Sequence, residues 1–263
     1  MTLPTVTLLI SAYNWPEALD LVLRSVLAQT VMPEEVIIAD DGSRQETIDL
    51  VKKYQENFPI PLIHEWHEDK GFRKTLILNK ALKKAKGDYI VQVDGDIILQ
   101  KNFIKDHREN AVPGFFIKGS RGRLTEKKSK AVLKSKKIDI SSLHSGVQSR
   151  INATRLPVLS PVFHKDDFKT RNVKGCNFAF WRADMLAVNG YNNDLAGWGH
   201  EDIEFPARLV NNGIKRRQLK MTAVCFHIHH ELRSRSNEDT NLRVYEEVVE
   251  QKIIRCKNGI DQV

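Results

Sequence analysis

Short apolar runs alternate with amphipathic stretches through the first hundred residues of the chain. Four of these runs predict buried β-strands, at residues 6–10, 36–39, 61–64 and 89–93. The stretches between them carry apolar residues at helical spacing, and each predicts a helix. This β-α-β-α-β-α-β order predicts an α/β fold with a mostly parallel central sheet and helices on both faces.

The third predicted helix spans residues 75–86 and has an apolar face and a basic face. We expect it to stop at Gly87, because glycine is favoured at helix C-termini. Arg73 and Lys74 come just before it, where the helix N-terminus would help them contact phosphate oxygens. A basic, solvated turn is the alternative.

Polar clusters follow three of the predicted strands, at residues 11–14, 40–43 and 94–96. Ligands of parallel sheets bind beyond the carboxyl ends of the strands, so we expect the clusters to face one crevice. Asp94 and Asp96 flank a glycine and would point the same way from the strand end. Two such carboxylates repel each other unless a cation lies between them, and a divalent ion bridging a diphosphate fits. Asp-Gly-Asp is also common in turns, so the motif alone is ambiguous.

The second half of the chain has an acidic segment, residues 197–205, with two glycines and an indole. Glu201 and Asp202 fall in the first turn of a predicted helix, where the helix dipole stabilises a carboxylate. Trp198 offers a face for a sugar ring. An ordinary acidic helix N-terminus is the alternative.

Three histidines lie within four residues at 227–230. Residues 224–228 predict a strand, which would place His227 and His229 on one face. Imidazole is a common metal ligand, but the sequence does not decide which of His227, His229 and His230 binds.

Charge and cysteine usage add information about the surroundings of the protein. The net charge is +8, and residues 118–137 alone hold nine basic residues against one acid, Glu126. This excess suggests an anionic neighbour, which could be a phosphorylated substrate, a lipid surface or nucleic acid, while a solvated loop is the alternative. The three cysteines have no C-x-x-C spacing, and neither a secretory signal nor an 18-residue apolar span is visible. We therefore expect a cytoplasmic protein, with peripheral contact at the inner face of the membrane.

Taken together, these residues resemble the family 2 glycosyltransferases of GT-A fold. Residues 197–202, G-W-G-H-E-D, are similar to a motif shared by bacterial chondroitin-polymerase-type enzymes and animal β-1,4-galactosyltransferases. The resemblance covers about residues 5–235 and implies a single domain with a Rossmann-like sheet. The N-terminal motifs that carry it are Ser11-Ala12-Tyr13-Asn14, Asp40-Asp41-Gly42-Ser43, Asn79 with Lys86-Gly87-Asp88-Tyr89, and Val93-Asp94-Gly95-Asp96.

The resemblance implies an inverting transferase that moves a sugar from a nucleoside-diphosphate sugar, here a UDP-sugar, to a saccharide or lipid-linked saccharide in surface polysaccharide synthesis. Asp202 would be the general base, and Glu201 would bond the acceptor or donor sugar. Asp96 and His227, with Asp94 beside them, would hold Mn²⁺ or Mg²⁺. The expected donor-binding residues are Ser11, Tyr13, Asp40, Asp41, Arg73, Lys74, Asp94, Asp96, Lys174, Asn177 and Trp198. Leu78 departs from the family, since many members have Arg there.

The chain divides by this reading into four parts. Residues 1–110 form the nucleotide-binding half, 111–172 a basic, flexible loop region, 173–235 the acceptor and catalytic half, and 236–263 a C-terminal helix. The apolar side of this C-terminal helix, which includes Leu242 and Tyr245, predicts core packing, with a dimer or membrane contact as alternatives.

Three other functions compete with sugar transfer. A nucleotidyltransferase would usually carry a Gly-rich phosphate loop, and none is present. A nucleic-acid-binding protein would have aromatic residues among the basic ones, but residues 121–137 contain none, so we expect no nucleic-acid partner. A metal-dependent hydrolase built on the histidines is the third alternative. Donor sugar, acceptor, linkage and oligomeric state remain undetermined by the sequence.

Overall fold

The strands expected in the first hundred residues all form in the computed structural model, which describes residues 2–231 and 238–263. The strands are, in chain order, β1 (Val6–Ala12), β2 (Glu35–Asp40), β3 (Leu62–Trp66), β4 (Tyr89–Asp94), β5 (Ile97–Leu99), β6 (Phe115–Lys118), β7 (Arg121–Leu124), β8 (Val147–Gln148), β9 (Lys165–Asp167), β10 (Phe178–Trp181), β11 (Lys215–Gln218) and β12 (Cys225–His227). The helices are α1 (Pro16–Leu27), α2 (Gln45–Gln55), α3 (Lys74–Lys84), α4 (Phe103–Glu109), α5 (Glu126–Ser135), α6 (Arg150–Ala153), α7 (Ser160–Phe163), α8 (Arg182–Ala187), α9 (Glu201–Asn211) and α10 (Glu238–Glu250).

The larger sheet has the strand order β3-β2-β1-β4-β10-β6-β11-β9. Strands β3, β2, β1 and β4 are parallel, as the sequence predicts, whereas β10 runs antiparallel between β4 and β6. A smaller sheet has the order β5-β12-β7-β8. The predicted single α/β domain is confirmed, and its central sheet is parallel in the first half and mixed in the second.

Both faces of the larger sheet are covered because apolar residues occupy both faces of its central strands. In β1, Leu8 and Ile10 point to one face and pack in the same core cluster as residues of α1. Leu9 points to the other face and packs with α3 and with Phe205 of α9. This two-sided burial explains why the strand is a continuous apolar run rather than an alternating one.

Gly87 has a different role from the predicted one. Helix α3 ends at Lys84, and Ala85 caps it with extended backbone geometry. A Cβ atom at position 87 would lie 2.5 Å from the backbone nitrogen of Thr7. The glycine therefore permits close approach of this turn to β1, and the helix C-cap prediction is wrong.

The basic segment also differs from its prediction. The flexible loop region expected across residues 111–172 differs for much of that length, because the segment contributes β6 and β9 to the larger sheet and β7 and β8 to the smaller one. Local periodicity is weak there because these strands are short and pair with distant parts of the chain.

The C-terminal part of the chain contributes one long helix, α10, which packs on α9 through Ala207, Tyr245 and Val248. The predicted division between residues 235 and 236 lies outside the described residues. Among the helices of the described ranges, none is long and apolar enough to cross a membrane.

Candidate active site

A cleft of about 1000 Å³ opens at the carboxyl ends of β1 and β4 and reaches the N-terminus of α9. Residues from the nucleotide-binding half and from the acceptor half face this same cleft. The predicted site residues that line it are Ser11, Tyr13, Asp41, Lys74, Asp94, Asp96, Lys174, Trp198, Glu201, Asp202 and His227.

Three predicted donor contacts, Asp40, Arg73 and Asn177, lie outside the cleft lining. Asp40 is fully buried, and its carboxylate accepts a hydrogen bond from the Ser43 amide and lies 2.9 Å from His64 Nε2. The guanidinium of Arg73 bonds the Glu68 carbonyl instead of facing the cleft.

Asn177, the third of these residues, is buried below the cleft. Its amide donates to the carbonyls of Ser120 and Ala223, at 2.8 and 2.9 Å. These bonds tie the segment before β10 to both sheets, so the side chain serves the fold.

Asp94 ends β4 and is held by the protein's own groups. Its Oδ1 accepts hydrogen bonds from Ser11 Oγ at 2.8 Å and from Lys74 Nζ at 3.1 Å. Burial acts to raise the pKa of Asp94, but Lys74 and Ser11 outweigh it and hold the pKa below its usual value. Asp94 is therefore a carboxylate with an internal counter-ion.

Asp96 lies in the turn after β4, beside two imidazoles. Its Oδ2 is 3.5 Å from His227 Nε2 and 3.3 Å from His230 Nε2, and one ligand atom from each of the three residues falls within a 4.8 Å group. Pairing of β12 with β5 brings them together, because the Ile228 amide donates to the Asp96 carbonyl at 3.0 Å.

His229 does not join this group. Strand β12 ends at His227, so the chain no longer alternates faces beyond it. His229 is exposed, and its backbone amide donates to Ser129 Oγ. The structure thus corrects the predicted pairing of His227 with His229, and places the predicted metal contact Asp94 outside the three-residue group.

The donor atoms of this group fit a divalent metal ion. Asp96 Oδ1 is buried and has no hydrogen-bond partner within the described part of the chain. Burial, followed by the neighbouring Asp94 charge, raises the pKa of Asp96 to about 7. Burial and Arg121 lower the pKa of His227 to about 4, which keeps the imidazole neutral and its lone pair available.

Glu201 and Asp202 begin α9, as the sequence predicts. Gly197, Gly199 and His200 have positive φ values of 75°, 111° and 70°, and this left-handed turn aims the helix N-terminus into the cleft. Burial, followed by the Asp202 charge, raises the pKa of Glu201 to about 7, although Lys74 opposes this. Asp202 Oδ1 is buried and accepts no hydrogen bond from any described residue.

The absence of a side chain at Gly175 leaves room for Asp202 Oδ1. A Cβ at this position would lie 2.8 Å from Asp202 Oδ1 and 2.9 Å from Gln92 Nε2. Tyr191 OH donates to Gln92 Oε1 at 2.8 Å, which orients the amide nitrogen of Gln92 toward the same space. Gln92 and Tyr191 were missed by sequence reasoning, although a glutamine within an apolar strand is a signal that could have found them.

Other residues that line the cleft were not predicted from the sequence. Arg121 lines the cleft and contacts the thiol of Cys176, and Trp15 packs edge-on against His230 at 6.2 Å. Helix α10, expected mainly to pack in the core, also lines the cleft through Glu238, Leu242, Tyr245 and Glu246. The apolar pattern of α10 predicts packing against the protein, but it does not indicate which residues of the helix face the cleft.

Two family models match the sequence. Residues 7–140 match the glycosyl transferase family 2, and residues 160–231 match the N-terminal domain of galactosyltransferase. The first match contains the strand-end clusters of the cleft, and the second contains Glu201, Asp202 and the histidines.

Known proteins show similarity over most of this chain. Chondroitin synthase of Pasteurella multocida (strain Pm70) is 24% identical over 223 residues, which cover 79% of this chain and 23% of that protein. The chain spans about half or less of the length of the curated relatives that it matches.

Two solved structures share the fold. The mannosyltransferase PcManGT from Pyrobaculum calidifontis, solved with GDP-Man and Mn²⁺, has a TM-score of 0.59 and 19% identity, covering 90% of this chain and 59% of that one. TarS 1-349 of S. aureus, solved with UDP, has a TM-score of 0.63 and 16% identity, covering 98% of this chain and 68% of that one.

Proposed function

The chain belongs to glycosyl transferase family 2, and from this premise we propose that it is an inverting, metal-dependent glycosyltransferase. The donor is a nucleoside-diphosphate sugar, a UDP-sugar, and the acceptor is a hydroxyl of a saccharide or lipid-linked saccharide in surface polysaccharide synthesis. The observation that carries the proposal is that Asp96, His227, His230 and Asp202 line one cleft. The cleft thus combines a group suited to a metal with a free carboxylate oxygen.

Asp96, His227 and His230 would hold the metal ion. When bound there, a divalent cation would supply charge neutralisation for the departing diphosphate. Two imidazoles beside one carboxylate suit Mn²⁺ better than Mg²⁺, since Mg²⁺ prefers oxygen ligands. The Mn²⁺ in the mannosyltransferase complex supports this choice.

Asp202 would take the proton of the attacking acceptor hydroxyl. Its Oδ1 is buried and without a partner among the described residues, so an acceptor O–H can supply the missing hydrogen bond. Gln92 and Gly175 shape the space around that oxygen. Glu201, beside Asp202, would bond a sugar hydroxyl.

The nucleotide would lie over the ends of β1 and β2, where Tyr13 and Asp41 line the cleft. Asp41 is held by His67 Nε2 at 2.7 Å and by the Arg73 amide at 3.0 Å, which fixes the carboxylate for contact with base or ribose. Ser11, Lys174 and Trp198, which are other predicted donor contacts, also line the cleft. The TarS structure contains UDP and the mannosyltransferase structure contains GDP-Man, so both nucleotides enter the donor screen.

A donor screen tests the proposal directly. UDP-, GDP- and dTDP-sugars would be incubated with the protein and Mn²⁺, and release of nucleoside diphosphate would be measured with and without saccharide acceptors. Asp202→Asn should lose about 10²–10⁴-fold in kcat while retaining nucleotide binding, because only proton removal is affected. Asp184→Asn, a helix carboxylate outside the cleft lining, is the matched control.

Near-normal turnover by Asp202→Asn would refute the assignment of the base. Pyrophosphate release from a nucleoside triphosphate would indicate nucleotidyl transfer instead. Donor cleavage that no acceptor accelerates would favour a hydrolase.

We also propose that the protein acts in the cytoplasm and touches the inner face of the membrane. Val158 and Val162 are 86% and 78% exposed, and basic residues such as Lys165 and Lys169 follow them closely in the chain. Apolar residues beside cations suit an anionic lipid surface. Co-sedimentation with anionic vesicles should weaken in Val158→Asp but not in Leu27→Asp, an exposed control, and unchanged sedimentation of Val158→Asp would exclude this contact.

A further inference from the structure

A second cavity, of about 440 Å³, opens next to the cleft, along β6 and β11. Four cationic side chains line it, and no carboxylate of a described residue does. The cations are Lys118, Lys169, Arg171 and Arg216. Like charges collected in a concave space focus a positive potential there, and such a potential attracts anions.

Arg216 is built into the wall of this second cavity rather than lying on the surface. It is 5% exposed, and its Nη2 donates to Asp167 Oδ2 across the β11–β9 pair at 2.7 Å. Its Nη1 donates to the Arg171 carbonyl at 3.4 Å. Its Nε is buried and has no hydrogen-bond partner among the residues that the structure describes. The guanidinium is therefore held by two acceptors and paired with Asp167, and its Nε–H is unsatisfied among the described residues.

Lys118 adds a positive charge that the nearby Asp167 carboxylate offsets only in part. It pairs in register with Gln218 of β11, which also lines the cavity. Burial lowers the pKa of Lys118, and the nearby charges of Arg216 and Lys220 lower it further, although Asp167 acts in the opposite direction. Positive groups thus outweigh negative ones around its ammonium.

The second cavity adjoins the acceptor side of the cleft. Arg171, Asn172 and Tyr245 line both spaces, so the second cavity and the cleft are direct neighbours. Tyr245 is held in place by a 2.9 Å hydrogen bond between its hydroxyl and Thr170 Oγ1. The other shared element is α9, which starts with Glu201 and Asp202 in the cleft and lines the second cavity further along.

We propose that the second cavity binds an anionic group, a phosphate or carboxylate, that the acceptor carries beyond the sugar being glycosylated. Guanidinium and ammonium groups together are typical partners of both anions. The identification of the anion's carrier as the acceptor rests on the proposed function, whereas the anion site itself does not.

Anion titration tests the site on the full chain. Inorganic phosphate and, separately, acetate would be titrated into metal-free protein at constant ionic strength, with binding followed by calorimetry. We expect saturable binding that weakens about tenfold in Lys118→Gln, as loss of one close charge predicts. Arg171→Gln should act in the same direction. Lys127→Gln removes an exposed cation outside the cavity lining and should bind as the wild type does.

The stronger of the two anions identifies the group that the cavity prefers. Absence of saturable binding, or equal affinity of wild type and Lys118→Gln, would overturn the proposal. Mn²⁺-dependent release of nucleoside diphosphate from the screened donor sugars, measured on the same preparations with and without saccharide acceptors, reports on the proposed function alone. Acceptor-accelerated release with no anion site would reject only the second cavity, and an anion site with no release from any donor would reject only the transferase.

Discussion

Lys74 Nζ lies 3.1 Å from Asp94 Oδ1, which joins the start of α3 to the end of β4 inside the cleft. The same ammonium lies 3.6 Å from Glu201 Oε1. Burial acts to lower the pKa of Lys74, but Asp94, Glu201 and Asp202 outweigh it and raise the pKa well above its usual value. One cation therefore connects the carboxylate at the end of β4 with those at the start of α9.

Replacing Lys74 should lower both the free energy of unfolding and the rate of donor turnover. Lys74→Met leaves Asp94 and Glu201 without their shared partner. Because the Lys74 and Asp94 side chains are 16% and 29% exposed, the loss should stay below the about 3–5 kcal/mol of a fully buried pair. Denaturant unfolding should show that loss, and donor turnover should fall with it. Lys70→Met is the matched control, because Lys70 is 64% exposed and its pair with Glu68 lies at the surface. Equal stability of the two variants would show that Lys74 is not an essential counter-ion.

Two neighbouring histidines, His229 and His230, allow a matched test of the proposed metal site. His230→Gln should weaken Mn²⁺ binding by at least about tenfold, because metal sites lose that much even when only a supporting partner is removed. His229→Gln should leave binding unchanged, since His229 lies outside the three-residue group. Mn²⁺ titration followed by electron paramagnetic resonance measures both. A larger effect at His229 would place the metal elsewhere.

Gly175→Ala should slow turnover without loss of nucleotide binding. The added methyl would approach Asp202 Oδ1 to 2.8 Å, so the carboxylate or Gln92 must shift. If the effect passes through Asp202, adding Gly175→Ala to Asp202→Asn should cause little further loss of kcat. Independent, multiplying losses in the double variant would argue for a separate role of Gly175.

The pH dependence of stability should show the buried His107. Burial lowers its pKa from 6.5 to about 4, and its Nε2 lies 2.9 Å from Asn177 Oδ1. Between these pH values the unfolded chain binds more protons than the folded one, so stability rises with pH across the window and is lost as pH falls. The contribution is about 3 kcal/mol for one such group.

Urea unfolding from pH 4 to 7 measures this contribution. His107→Gln should have a flatter pH profile than the wild type, whereas His144→Gln, at an exposed position, should follow the wild type. Parallel profiles for the wild type and His107→Gln would rule out the proposed titration.

Much of the cleft was predictable because its signals are local. The apolar runs of β1, β2 and β4 end where polar clusters begin, and parallel strands carry their carboxyl ends to one edge. Glu201 and Asp202 were recognisable from the glycine-rich turn before α9. The structure places Asp40 and Asn177 outside the cleft lining, because a motif gives residue type and spacing but not side-chain direction. Both side chains turn into the protein to satisfy buried backbone groups.

The sequence by itself determined the parallel half of the sheet, its helices and the segments that supply carboxylates and histidines. Strand and helix patterns repeat every 2 and 3.6 residues, so a short stretch of sequence is enough to recognise them. Only the tertiary structure decided that His230 rather than His229 joins Asp96, that Lys74 connects Asp94 with Glu201, and that the basic segment forms strands beside a second cavity. The first depends on β5 pairing with β12 and the third on β6 pairing with β11, whereas the second brings together α3, β4 and α9; all join residues far apart in the chain. These long-range contacts are stabilised by burial and packing across the whole domain, and a local sequence pattern does not specify that packing.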